Sequence, residues 1–174
     1  MLDYLWQQQP ASLFNYPVLT DQRIEQTELK LGVKLPLLYK RFMKGQNGGE
    51  LAYSDFVSRK FKNKNIQIDF LFCIDSKIGI GNNYQLKIDW AIPTNIVIIS
   101  GIKDEWVALD YRSHFGKEPK IIWYSSETNR IQTIARSFEQ LLLNLQLPDN
   151  DDDLTSIYIQ TMHQAEQDFH TTSF

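Results

Sequence analysis

Residues 21–49 read DQRIEQTELKLGVKLPLLYKRFMKGQNGG. Thr20 or Asp21 is placed to cap a helix, since a side-chain oxygen there accepts from the free N–H groups of the first turn. Ile24, Thr27 and Leu31 fall on one side of that helix and Leu29 on another. Gly32 sits where a helix ends in the left-handed conformation. Leu35-Pro36 restarts the chain, because proline is tolerated in a first turn whose N–H has no helical partner. Leu38, Tyr39, Phe42 and Met43 then recur at three- and four-residue spacing and predict a second amphipathic helix that stops at Gly45. Asn47-Gly48-Gly49 is turn chemistry.

Further along the chain the period changes from helix to strand. Ile66, Ile68, Phe70, Phe72 and Ile74 alternate with Gln67, Asp69, Leu71 and Cys73, which predicts one strand with an apolar face and a mixed face. Residues 82–90 hold a short helix with Tyr84, Leu86 and Trp90 as its apolar side. Residues 95–100 and 121–124 are short strands. In 106–112, Val107, Leu109 and Tyr111 oppose Trp106, Ala108 and Asp110, and residues 101–105 form a hairpin loop before them. Ser137 with Gln140 resembles a capping box, opening a helix that carries Phe138, Leu141, Leu142 and Leu145 and is closed by Pro148. The acidic run 149–153 leads into a last helix, 153–169. Helices, then strands, then helices predict an α+β fold with a mostly antiparallel sheet, in a single domain over 1–174.

Of the 174 residues, 18 are Lys or Arg and 21 Asp or Glu, a net charge of −3. A binder of nucleic acid would carry a basic surplus instead. The longest apolar runs fall far short of the ~20 residues that span a bilayer, and the first residues lack a signal peptide's basic start and apolar stretch. A cytoplasmic, soluble protein is expected. The single cysteine, Cys73, excludes an internal disulfide and a thiolate zinc cage.

Each candidate chemistry has a plainer alternative. His163, Glu166 and His170 share a helical stripe, as a metal site would, or line a solvated face. Asp149, Asp151 and Asp153 alternate like the start of a calcium loop, but Leu154 and Gln160 stand where that loop needs Gly and Glu. Asp104, Glu105 and Asp110 form a carboxylate pair or trio for acid–base work, or solvate a loop. Cys73 lies within a strand, where a packed thiol is inert, and Gly79-Ile-Gly81 lacks the third glycine of a phosphate loop. No cofactor and no metal is expected. Trp106 and Tyr111 either fill the core or, with Asp104 and Glu105, form an aromatic, acidic rim of the composition that carries binding energy.

The run Ile24-Glu-Gln-Thr-Glu-Leu-Lys-Leu-Gly32, Leu35-Pro36-Leu-Leu-Tyr39, Phe42 and Asn47-Gly48-Gly49 resembles the N-terminal signature of the SUKH superfamily, the Smi/Knr-type proteins. Trp106-Val-Ala-Leu-Asp110 is similar to its Leu-Asp strand, and Ser137-Phe138-Glu139-Gln140-Leu141 to its closing helix. The likeness covers about residues 20–145 and leaves helix 153–169 as an extension. It implies a non-enzymatic protein-binding module: in bacteria, largely immunity proteins that neutralise toxins of polymorphic or contact-dependent systems; in fungi, regulators of cell-wall synthesis. Leu35, Pro36, Tyr39, Phe42, Asn47, Gly48, Gly49 and Asp110 are then structural. The expected partner is a toxin with a basic face, met by Asp104, Glu105, Trp106 and the linker acids Asp149, Asp151 and Asp152. No direct contact with nucleic acid or membrane is expected, and the oligomeric state is open.

Overall fold

The helix pair at the start of the family-like run is held by one buried carboxylate. In the computed structural model, which describes residues 5–7, 16–56, 66–113 and 118–145, α1 spans Asp21–Leu31 and α2 spans Leu37–Gly45. The Thr20 hydroxyl accepts from the Arg23 N–H at 3.2 Å, and Gly32 ends α1 at φ 69°. Ile24, Thr27 and Glu28 are buried, while Leu29 is 85% exposed. Glu28 accepts from the Leu35 N–H at 3.0 Å, from Lys34 Nζ at 2.7 Å and from Lys40 Nζ at 3.0 Å. One side chain thus fixes the link between the helices and the entry to the second. Burial pushes the Glu28 carboxyl up, but the hydrogen bonds from Lys34, Leu35 and Lys40 outweigh it and leave the group below the ordinary glutamate range.

A folded-state pKa below the unfolded one contributes stability that is present above the ordinary carboxylate range and lost as the pH falls through the folded value. Glu28→Gln is therefore expected to cost about 1–3 kcal/mol at neutral pH and to flatten the loss of stability on acidification. Urea unfolding at neutral and acid pH measures both effects. Equal midpoints for the two proteins at neutral pH would mean that the carboxylate does not hold the junction.

After the Asn47-Gly48-Gly49 turn, β1 (Gly49–Glu50) pairs with β4 (Phe70–Leu71), and β2 (Asp55–Phe56) pairs with β3 (Ile66–Gln67), both antiparallel. From Gly49↔Leu71 to Asp55↔Gln67 one side advances six residues and the other four. The two extra residues make a bulge around Ala52 and Tyr53, between the backbone bonds Leu51 N–H to Asp69 O and Ile68 N–H to Ser54 O. The single alternating strand expected over 66–74 is therefore corrected to two short ones. Ile66 and Ile68 point inward, but Leu71 takes the buried position after them and Phe70 and Phe72 are only half-buried. Leu5-Trp6-Gln7 lies along the outer side of β1, with Gln7 N–H on Glu50 O and Ala52 N–H on Leu5 O.

The main sheet is antiparallel, in the order β5 (Ile96–Ile102), β6 (Glu105–Asp110), β7 (Lys120–Ser125) and β8 (Arg130–Ala135). Alternation gives it two apolar faces. Val97, Ile99, Val107, Leu109, Ile121 and Trp123 join the main core, which also holds Tyr39, Phe42, Met43 and Phe138. Ile96, Ile98, Trp106, Ala108, Ile122 and Tyr124 form a second, smaller core with Ile92. Phe72 N–H donates to Ile99 O, which ties the smaller hairpin to β5.

The last described helix, α4, spans Phe138–Leu143. Ser137 Oγ accepts from Gln140 N–H at 3.1 Å, and Gln140 Oε1 reaches back to Arg136 N–H at 2.7 Å. The helix ends before the expected Pro148, because Leu145 leaves it to form a bridge with Phe56. Asp149, Asp151, Asp152, the 153–169 helix with His163 and Glu166, and His170 and His114 lie outside the described residues.

Candidate functional site

The helix α3 (Asn83–Asp89) follows a 3-10 turn at Ile80–Asn82. Its anchor is polar. The buried Asn83 side chain donates from Nδ2 to Ile98 O at 3.2 Å and accepts the Ile98 N–H on Oδ1, so an amide stands beside β5 as a strand would. Just past the helix, Ile92 enters the second core. Between these anchors, Tyr84 is 74% exposed, Ile88 57% and Trp90 36%. Tyr84, expected on the apolar side of this helix, is thus corrected to an exposed position, whereas Trp90, one residue past the helix, stays mostly covered against Trp106. Burial lowers the pKa of Lys87 on the same helix.

Trp90 lies over Trp106, with ring centroids 5.8 Å apart. Trp106 itself is 4% exposed and belongs to the second core. Its ring offers no face to a partner, so the aromatic at this rim is Trp90. Sequence alternation puts Trp106 on the face opposite Val107. It does not reveal that both faces of the sheet are covered.

The two loops at this end of the sheet are stitched together. Ser126 N–H donates to Asp104 O at 2.8 Å, and Trp123 Nε1 donates to Glu105 Oε2 at 3.4 Å. The Tyr124 hydroxyl lies 3.3 Å from Ala91 O and 3.2 Å from Asn129 Oδ1. Asp104 and Glu105 are half-buried, and Asp89 and Glu127 are exposed. Lys103 and Arg130 bring positive charge to the same loops and are also exposed.

Asp110 is at the other end of β6, about 17 Å from Glu105 at ordinary strand rise. Burial raises its carboxyl, and hydrogen bonds from the Arg112 side chain and N–H more than offset that and hold it low. Arg112 Nε is 2.8 Å from Asp110 Oδ1. The carboxylates considered for acid–base work are therefore not one cluster. Cys73 is fully buried, and burial, then the charge of Asp75, pushes its thiol up to about 12. Gly79 and Gly81 serve packing: Ile80 N–H donates to Cys73 O and Gly81 N–H to Asp75 O. Asp75 also accepts from the N–H groups of Lys77 and Ile78 and from Arg23. Among the described residues no three His, Cys, Asp or Glu side chains are grouped to hold a metal ion. No described helix is long and apolar enough to cross a membrane.

No curated protein matches the chain. A family model does: SUKH_6, described as SMI1-KNR4 cell-wall, matches residues 21–142. The matched span runs from the first residue of α1 into α4 and takes in the Glu28 junction, the Asn-Gly-Gly turn and the whole four-stranded sheet. With most of its length matched, the chain belongs to the SUKH superfamily, whose domains are generally non-catalytic and bind protein partners.

Proposed function

We propose that this SUKH protein is an immunity protein that neutralises a cognate toxin by tight, non-covalent binding in the cytoplasm. The single observation behind this is the exposed Tyr84, Ile88 and Trp90, with Trp90 lying over Trp106, the strand neighbour of Glu105. Tyrosine and tryptophan supply large contact area and dominate binding energy where they are fully desolvated. Carboxylates at the rim steer a basic toxin face into register. Asp149, Asp151 and Asp152, outside the described residues, are assigned to the same basic partner by their charge, and Trp106 supports Trp90 from beneath. The whole chain, 1–174, acts as one domain, with no contact to nucleic acid or membrane.

Trp90→Ala is expected to weaken toxin binding by about 10- to 100-fold without changing the melting temperature by more than a few degrees. Asp104→Lys with Glu105→Lys is expected to slow association, most at low salt. Calorimetry and stopped-flow mixing with the purified toxin read these effects. A toxin that stays fully active in excess protein removes the proposal. The Smi/Knr description of the matching family supports a second reading, a regulatory scaffold for cell-wall synthesis. Co-purification of endogenous partners separates the two: a toxin in one case, cell-wall machinery in the other.

A further inference from the structure

An ammonium that leaves water needs an acceptor in exchange. Among the described lysines, Lys30 donates to Ser76 O, Lys34 and Lys40 donate to Glu28, and Lys44 meets Asp21. Lys77, Lys103 and Lys120 are exposed, where water carries the charge. Lys87 on α3 is half-buried, and no described residue accepts from its ammonium. The fold explains the gap. Asn83 stands four residues before Lys87, where its amide oxygen would face the ammonium, but that oxygen takes the Ile98 N–H. Tyr84, three residues before, has no charge at neutral pH. The 3-10 turn Ile80–Asn82, residues 91–95 and strand β5 hold no ionisable side chain. Asp89 is exposed and only two residues on, and side chains two apart on a helix do not face each other.

We infer that Lys87 is a modification site, acylated by acyl thioesters in preference to the exposed lysines. The reacting form of a lysine is the neutral amine, and an ammonium short of both water and an acceptor gives up its proton most readily. The end of a helix favours a cation. On this seven-residue helix burial prevails, and it moves the amine below its ordinary value. The half that stays exposed, beside the exposed Tyr84 and Ile88, lets a small reagent reach the nitrogen. In the reaction the nitrogen lone pair attacks the acyl carbonyl and an N–C bond forms. The C–S bond then breaks, the thiolate leaves with the electron pair, and the nitrogen's proton passes to it through water. The amide product cancels the one positive charge of α3 and leaves a longer, less polar side chain. This holds whether or not that surface meets a toxin.

Trace acetylation of the whole protein with a small acetyl thioester, followed by complete labelling after unfolding and peptide mass spectrometry, reads the reactivity of each lysine. At neutral pH, Lys87 is expected to react about 3- to 10-fold faster than Lys77 and Lys103. In urea, where burial is gone, the three are expected to react alike. Tyr84→Glu supplies the missing carboxylate one turn away, at a position 74% exposed that the fold does not depend on. It is expected to remove most of the advantage, while Tyr84→Gln keeps it. Circular dichroism confirms that both variants fold. A Lys87 that reacts no faster than the exposed lysines, an advantage that survives urea, or one that Tyr84→Glu leaves intact overturns the inference.

Discussion

Gly48→Ala is expected to destabilise the protein by several kcal/mol. Gly48 has φ 92°, and a Cβ there would lie 2.8 Å from Cys73 N, 2.8 Å from Tyr16 Cδ2 and 2.9 Å from Leu71 O. The ring can shift. The two backbone atoms belong to the end of β4 and the residues after it, and moving them breaks the Gly49↔Leu71 pairing. Left-handed strain costs about 1–3 kcal/mol and forced overpacking about 1–3 kcal/mol more. For a chain of this size that corresponds to a melting temperature lower by roughly 10 °C. Calorimetry reads it directly, and a wild-type melting curve would mean that the turn relaxes without disturbing β4.

The second large effect lies where the closing helix meets the first pair. Phe138 is fully buried, 4.8 Å from the Tyr39 ring centroid in an edge-on arrangement and 5.9 Å from that of Phe42. Phe138→Ala removes the ring and leaves a cavity bounded by helices fixed elsewhere, by Glu28 on one side and the Ser137 cap on the other. The cost is expected to be about 3–5 kcal/mol. A drop in the denaturant midpoint with an unchanged slope is the signature of that loss. A loss below about 1 kcal/mol would show that α4 collapses into the gap and that packing here is looser than the burial implies.

These two positions were legible in the sequence for different reasons. Phe138 follows a capping serine at the start of an amphipathic period, and helical spacing alone points it inward. Gly48 follows an asparagine in a run of turn residues, so the turn is readable. The clash that forbids a side chain there depends on Cys73 and Leu71, some 25 residues away, which no local pattern encodes. The same limit accounts for the run 66–74. Its alternation is regular, but it serves two partners in different registers, and the bulge that separates them lies on the other strand.

The candidate site was less readable still. Leu86 and Trp90, four residues apart, have the spacing of one helix side, but Tyr84 falls on the other side, so the run has no single apolar stripe that decides which way it packs. Here the anchors are Asn83 and Ile92, at its ends, and only the fold reveals that an asparagine replaces a strand. Asp104 and Glu105 stand at the hairpin as the sequence reading expects. Trp106 does not share their surface, because alternation along β6 specifies a face of the sheet and not whether that face is covered.

Asn47 and Gly48 have one more consequence, for chemical ageing. In a flexible chain an Asn-Gly pair loses ammonia readily, as the following nitrogen attacks the side-chain amide and a cyclic imide forms. In the native fold the Asn47 amide donates to Pro17 O at 2.8 Å and Ile74 O at 3.3 Å and accepts from Ile74 N–H at 2.9 Å, while Gly48 N–H is turned to Gln46 O. The folded state therefore protects this amide from that reaction. Time spent unfolded would instead leave an acid that cannot donate to Pro17 or Ile74, so each such excursion erodes the capacity to return.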